Sequence, residues 1–399
     1  MSDKWKKVKL GSLGDIITGK TPKTNDKENY GNDVLFLTPS DNMELRYIKD
    51  TIRKLSLKGA ETVQNKILPK ESICVSCIGS QLGKVVITIE DTVTNQQINS
   101  IIPNDDVDYK YLYYAMLLVG NKLNFLSKTS TAVPIINKTE FSNQEIYLPP
   151  LEEQKSIADL LSSFDDKIEN NNAIIANLEE QAQAIFKSWF VDFEPFQDGE
   201  FVESDLGDIP KGWSIESLGD IVNIYDSERK PLSQMVRQGM ERNYPYYGAN
   251  GVIDYVEDYL FDGKYLLLGE DGTVQTNEGY PILNYIEEKF WVSNHAHIMT
   301  GDKISTEFLY VSIKRRNIRD IITGAVQQKI NQRNLKSIKL VIPESNILIN
   351  FQNIIEPIFE KVLVLKKSNK KLEETRDILL PKLMSGEIRV EEAIEVEEM

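Results

Sequence analysis

LEEQKSIADLLSSFDDKIENNNAIIANLEEQAQAIFKSWF, running from Leu151 to Phe190, is rich in helix formers and contains neither Gly nor Pro. Its apolar positions step by three and four: Leu161, Phe164, Ile168, Ile175, Leu178, Ala182, Ile185 and Trp189, with Asn171 as a polar member of the same series. Such stepping over several heptads is the a/d seam of a coiled coil. A helix of that length reaches about 60 Å and cannot stand alone with an apolar stripe in water. It needs a partner.

The partner is legible further along. After Ile342-Pro343 a weaker seam runs through Ile355, Ile358, Val362, Leu365, Asn369, Leu372, Arg376, Leu379 and Leu383. Arg376 is off pattern, and Pro357 is expected to bend or break the helix near its start. Asn171 and Asn369 sit almost symmetrically about the middle of the two seams, so antiparallel helices would bring them together. A parallel pair would offset them by about one turn. A polar pair in an apolar seam sets register at some cost in stability; the alternative is that both face solvent.

The segments between the seams also repeat. Ser12-Leu13-Gly14-Asp15-Ile16 returns as Ser217-Leu218-Gly219-Asp220-Ile221, each time shortly after a tryptophan, Trp5 or Trp213. Thr94-Asn95-Gln96 returns as Ser293-Asn294-His295, and Tyr111-Leu112-Tyr113 as Phe308-Leu309-Tyr310. Ala132-Val133 followed by Ile136-Asn137 returns as Ala325-Val326 followed by Ile330-Asn331. Four matches in one order, with a slowly drifting offset, indicate two parallel domains whose loops differ in length. The implied layout is 1–150, a first mixed domain; 151–196, a central helix; 197–343, a second mixed domain; and 344–399, a final helix with an acidic tail. The fold class is α+β: two similar mixed α/β globular domains separated by two long helices in an antiparallel coiled coil, with pseudo-twofold symmetry. Strands are expected at Val34–Leu37, Ser72–Ile78, Lys84–Ile89, Lys264–Leu268 and Phe290–Ile298, and helices at Tyr109–Val119 and Thr306–Arg319.

Charge and composition narrow the function. The 399 residues carry a net charge of -15, which argues against a simple DNA-coating protein. The acid is concentrated: residues 151–200 hold 12 acidic against 3 basic side chains, whereas 1–150 hold 17 against 19. Lys314, Arg315, Arg316, Arg319, Lys329, Arg333, Lys336 and Lys339 face the single acid Asp320 and form a local cluster able to meet phosphates. The blander reading is a solvated basic helix face. No apolar run approaches the ~20 residues of a membrane span, and MSDKWKKVKL has no apolar segment behind its lysines, so a cytoplasmic location is expected. Cys74 and Cys77 read as structural thiols on opposite faces of a strand.

Loops carry groups suited to base edges, where Asn or Gln bridges adenine, Arg bridges guanine and a carboxylate accepts from cytosine. In the first domain these are Ser40, Asp41, Asn42, Arg46, Tyr47, Gln96, Gln97 and Asn99. In the second they are Tyr246, Tyr247, Asn250, Glu270, Asp271, Asn294, His295, His297, Gln327, Gln328 and Arg333, joined by Lys314, Arg315, Arg316 and Lys329. His295 and His297 are expected to share one face of a strand, with readout or packing rather than metal ligation as their role. No methyltransferase, Walker, nucleophile-elbow or metal-ligand motif is present in the sequence, so no catalytic residue is assigned and no metal is expected.

Two stretches resemble the specificity subunits of Type I restriction-modification systems. One runs from Leu148-Pro149-Pro150-Leu151-Glu152-Glu153-Gln154 through Phe164-Asp165-Asp166-Lys167-Ile168 to Phe186-Lys187-Ser188-Trp189-Phe190-Val191-Asp192-Phe193. The other runs from Glu356-Pro357-Ile358-Phe359-Glu360-Lys361 to Leu380-Pro381-Lys382-Leu383. These are similar to the family's central and C-terminal conserved regions, and residues 1–150 and 197–343 resemble its two target-recognition domains. The second region lacks a P-P-L-E-E-Q, having PESNILINFQ instead, which leaves that helix start open.

The resemblance implies a non-catalytic subunit that binds double-stranded DNA, two methylation subunits and, for cleavage, restriction subunits. It implies adenine-N6 methylation with S-adenosylmethionine held by the methylation subunit, so that no cofactor binds this chain. Each domain would read half of a bipartite target, the helices setting the gap. Trp189, Phe190, Phe193 and Phe196 are candidate anchors for a protein partner, or else pack on the helix pair. The rival readings are a self-sufficient DNA-modifying enzyme and a protein-only coiled-coil scaffold.

Overall fold

The computed structural model describes residues 5–128, 135–324 and 327–397; Ala132, Val133, Ala325 and Val326 of the last repeated match lie outside them. The chain divides into two compact units, Met1–Glu169 with Lys370–Met399, and Asn170–Asn369. The division cuts both long helices, Leu151–Phe190 and Ser345–Ser385, instead of falling at their ends. The reason is packing: each unit buries its own stretch of both helices in its own core.

In the first unit, Lys6–Lys9 pairs antiparallel with Glu145–Leu148, the strand that leads into the first long helix. Between them lie two five-stranded sheets. One is centred on Val34–Leu37 and Thr92–Thr94, the other on Ile98–Pro103 and Ile73–Ser76. The helix Tyr109–Lys128 buries Tyr111, Leu112, Tyr114 and Met116 in a core that Leu161 and Phe164 share with Leu379 and Leu383. Glu153 pairs with Arg389 and Asp165 with Arg376, so numbers fall on one side as they rise on the other. The helices are antiparallel here. Cys74 and Cys77 do face different cores, and burial pushes their thiols up to about 12 and about 11. Neutral thiols at those depths make poor metal ligands.

The second unit repeats the plan. Ser214–Ser217 pairs antiparallel with Lys339–Ile342, which leads into the second long helix. A six-stranded sheet runs in the order Val222–Ile224, Ala296–Gly301, Phe261–Gly269, Leu283–Val292, Tyr244–Gly248, Gly251–Val256. The repeated Ser-Leu-Gly-Asp-Ile serves each core through a buried leucine, Leu13 or Leu218. The repeated Ile-Asn pair ends in an N-cap, Asn137 accepting from Glu140 N–H and Asn331 from Asn334 N–H. A side-chain acceptor there satisfies an amide the helix cannot pair.

Three expectations are corrected. Phe290–Ile298 is not one strand, because Ser293-Asn294-His295 turns between two. The helix beginning at Thr306 stops at Lys314, so Arg315, Arg316 and Arg319 are not on a helix face. Pro357 does not break the second long helix, which starts earlier, at Ser345. Pro357 is exposed, and so is Asn353, whose carbonyl loses its helical partner and meets water. Among the described residues no helix is long and apolar enough to cross a membrane.

Within this unit the long helices are again antiparallel. Asn171 Nδ2 donates to Asn369 Oδ1 at 2.8 Å, Lys366 approaches Glu179, and Ile175 packs with Val362 and Leu365. Asn369 Nδ2 in turn donates to Asn172 Oδ1 at 2.8 Å. Asn369→Leu should therefore leave the Asn171 amide unpaired in an apolar seam and cost about 1–3 kcal/mol. The double change to leucine should recover that loss while loosening register. Urea midpoints of the two variants and the unaltered chain check this.

Candidate nucleic-acid interface

Parallel neighbours inside each unit bring distant loops together. Val34–Leu37 and Thr92–Thr94 run parallel, with Leu37 opposite Thr94, and Asn95 N–H donates to the Leu37 carbonyl at 3.1 Å. The chain therefore leaves both strands at one end, placing 38–42 beside 95–97. In the second unit Tyr247 lies opposite Val292 on parallel strands, and Ser293 N–H donates to the Tyr247 carbonyl at 2.8 Å. That places 249–250 beside 293–295. Further segments close on the same end. Cys77 N–H donates to Gln97 O and Ile136 N–H to Cys77 O; in the second unit Glu270 N–H donates to His295 O and Ile330 N–H to Glu270 O. Each unit thus gathers several polar loops into one rim.

The candidate residues divide by what they touch. On the first rim Ser40, Asn42 and Gln96 are exposed, Gln96 Oε1 accepting from Thr21 and Asn42 Oδ1 from Glu44 N–H. Gln97 accepts from Asn95, and Asp41 is buried, holding Thr38 and Ile52 N–H. Arg46 is 7% exposed: its guanidinium stacks on Tyr47 and pairs with Asp166 and Glu169 of the long helix. It anchors the loop instead of projecting to a base. On the second rim Asn250, Asn294, His295, Gln327 and Arg333 are exposed, and the Arg333 side chain has no polar partner among the described residues. Gln328 is half-buried, its carbonyl accepting from Gly272 N–H. Tyr246 and Tyr247 are buried, Tyr246 Oη accepting from Leu232 N–H and Tyr247 donating to Glu288.

The basic cluster is largely paired inside its own unit. Arg315 meets Glu180, Arg316 donates to Lys339 O, Arg319 to Asn277 O, and Lys339 meets Asp205. Lys314 lies over the Tyr310 ring, and Lys329 is 3.2 Å from Glu270. Nor do the four aromatic anchors stand free. Phe190 is buried, and Trp189, Phe193 and Phe196 are half-buried against Trp213 and Phe351. Aromatic edges and faces this close satisfy one another.

Asp226 and Arg229 were not visible as candidates, though the charge-dense Asp226-Ser227-Glu228-Arg229 following an apolar run was a signal. His295 and His297 do not share a face, because the strand starts only at Ala296. His295 is exposed and bonded to Asp271 at 2.5 Å, whereas His297 is buried, bonded to Asp226 at 2.6 Å and to Ile330 O at 2.8 Å. The ligand atoms of Asp226, Glu270 and His297 lie within 4.8 Å of one another, a spacing that suits a metal ion. Arg229 already stands 2.6 Å from Glu270 as a counter-cation.

Burial opposes ionisation of Asp226, yet His297 and Arg229 more than offset it and hold its carboxyl below the ordinary 3.8. Glu270 is half-buried, which also opposes ionisation, and is held below 4.5 by Arg229, His297 and Lys329. A depressed carboxyl contributes stability that is complete above its unfolded value and lost as pH falls through the folded one. Urea midpoints should therefore be steady above about pH 5 and fall below about pH 4. Asp226→Asn should flatten that acid limb; an unchanged limb would contradict the assignment.

Two α/β units that share a terminal strand pair leading into a long helix, each with a polar loop rim at its strand ends, define a tandem recognition protein. The chain matches the family model for the Type I restriction modification DNA specificity domain over residues 2–180 and 210–375, and it belongs to that family. It is 31% identical to the Type I restriction enzyme MjaIX specificity subunit of Methanocaldococcus jannaschii, across 97% of this chain and 94% of that one. It is 24% identical to the HindI specificity subunit of Haemophilus influenzae, across 97% and 100%. The crystal structure of the Type I restriction-modification S subunit from M. genitalium shares the fold, with a TM-score of 0.54 and 19% identity over 95% of this chain and 96% of that one.

Proposed function

We propose that each unit reads one half of a bipartite duplex DNA target through its loop rim, while the long helices set the gap between halves and dock two methylation subunits. The chain performs no chemistry itself. Methylation of adenine N6, with S-adenosylmethionine, takes place in the methylation subunits, and restriction subunits join for cleavage, all in the cytoplasm. The observation that carries this reading is the recurrence, in one chain of this family, of a loop rim built on parallel strand ends. Exposed Gln96, Asn250, Asn294 and Arg333 are the side chains best placed for base edges.

The test uses the complex reconstituted with its methylation subunits. Mapping methylated adenines should reveal two half-sites at one fixed separation. Inserting one heptad into each long helix keeps both seams and adds about 10 Å, so the separation should grow by about three base pairs. Methylation by this chain without partners would favour the self-sufficient enzyme. A complex with no sequence-selective, salt-sensitive DNA binding would favour the protein-only scaffold.

A further inference from the structure

Beneath each rim lies the same buried clasp, made from different residues. In the first unit Asn99 Nδ2 donates to the Ile136 carbonyl at 3.1 Å, while its Oδ1 accepts from Thr18 Oγ1 at 2.6 Å. In the second, His297 Nε2 lies 2.8 Å from the Ile330 carbonyl, which can only accept, so Nε2 carries a proton; Nδ1 meets Asp226 Oδ2 at 2.6 Å. The two positions correspond in backbone setting, which places Gln97, not Gln96 as the sequence repeat suggests, opposite His295. Each lies two residues after the rim residue, Gln97 or His295, whose carbonyl receives an amide from the neighbouring loop. Each reaches the isoleucine just ahead of an asparagine N-cap. Each also holds the end of the unit's antiparallel neighbour strand, Gly14–Thr18 directly in one case and the residue pair after Val222–Ile224 in the other.

Asn99 is 2% exposed and His297 1% exposed, so neither touches a base. Two other segments meet at each side chain, those of Thr18 and Ile136 at Asn99 and those of Asp226 and Ile330 at His297. We propose that Asn99 and His297 are equivalent positioning residues, each aligning the readout loops of its own unit and so governing fidelity at one half of the DNA target. The proposal replaces direct base contact for these two residues, and it rests on the half-site reading above. Their chemistry differs because the second unit adds the Asp226 carboxylate, with Gln332 Nε2 donating to the same oxygen at 3.1 Å.

The experiment uses the complex reconstituted with methylation subunits and duplexes carrying single-base changes in one half-site or the other. For His297→Ala, the ratio of methylation rates on matched and mismatched DNA should fall about ten-fold for one half-site and stay unchanged for the other. Asn99→Ala should do the mirror image. His297→Asn, which installs the first unit's residue and keeps a donor toward Ile330, should regain most of the lost discrimination. Equal losses at both half-sites would overturn the proposal, since general destabilisation has no preferred half. So would full discrimination in the assembled alanine variants. If an alanine variant does not assemble, His297→Phe and Asn99→Leu carry the test, since each fills its site without a donor toward the isoleucine carbonyl: discrimination unchanged at both half-sites in both would overturn it. If the unaltered complex discriminates at neither half-site, it is the half-site reading that fails instead.

Discussion

Phe351→Ala should cost the second unit about 3–5 kcal/mol, the largest single loss expected among its core positions. Phe351 is fully buried, with ring centroids at 4.8 Å from Phe190, 5.7 Å from Phe308 and 5.8 Å from Trp189. Removing the ring opens a cavity that these neighbours cannot close, because Phe190 and Phe308 are themselves pinned 5.1 Å apart by other contacts. Tryptophan fluorescence follows the change directly, since Trp189 and Trp213 belong to the same cluster. Phe351→Leu should lose much less. A loss below about 1 kcal/mol for alanine would show that the cluster is not the core it looks to be.

Asp165→Ala should destabilise the first unit by about 3–5 kcal/mol. Asp165 accepts from the buried Tyr114 hydroxyl at 2.5 Å and pairs with Arg376 of the other long helix. Its loss leaves a phenol without an acceptor and a mostly buried guanidinium with only Asp377. The Asp165→Leu, Arg376→Leu double variant should regain most of the loss, because two charges removed together leave nothing unpaired. A double-mutant cycle on unfolding free energies measures the coupling, and a value near zero would remove Arg376 from the account. Arg376 looked like a flaw in the seam. It is instead the partner of the one carboxylate that the opposite helix buries there.

The long helices, their mutual direction and the duplication are legible in the sequence, because periodicity and repetition are properties of the chain order. The three-and-four spacing needs only a helix of 3.6 residues per turn to become a face. Two such faces following two similar segments leave antiparallel pairing as the simple solution. Strands were found less cleanly: Ser293 to His295 turns in the midst of an apolar run, since a turn held by backbone hydrogen bonds needs no Gly or Pro to mark it.

What the chain order could not reveal was which polar groups are free. Arg46 reads like any loop arginine until the fold sets Asp166 and Glu169 against it, more than a hundred residues away in sequence. His295 and His297 differ by two positions and by almost complete burial, a distinction made by where one strand begins. Nor does any local pattern state that Leu37 and Thr94, or Tyr247 and Val292, are parallel neighbours. Helical faces arise from neighbours in sequence, so composition and spacing settle them. A recognition rim arises from contacts between remote segments, and only folding the whole unit assigns each side chain a partner, a burial and therefore a role.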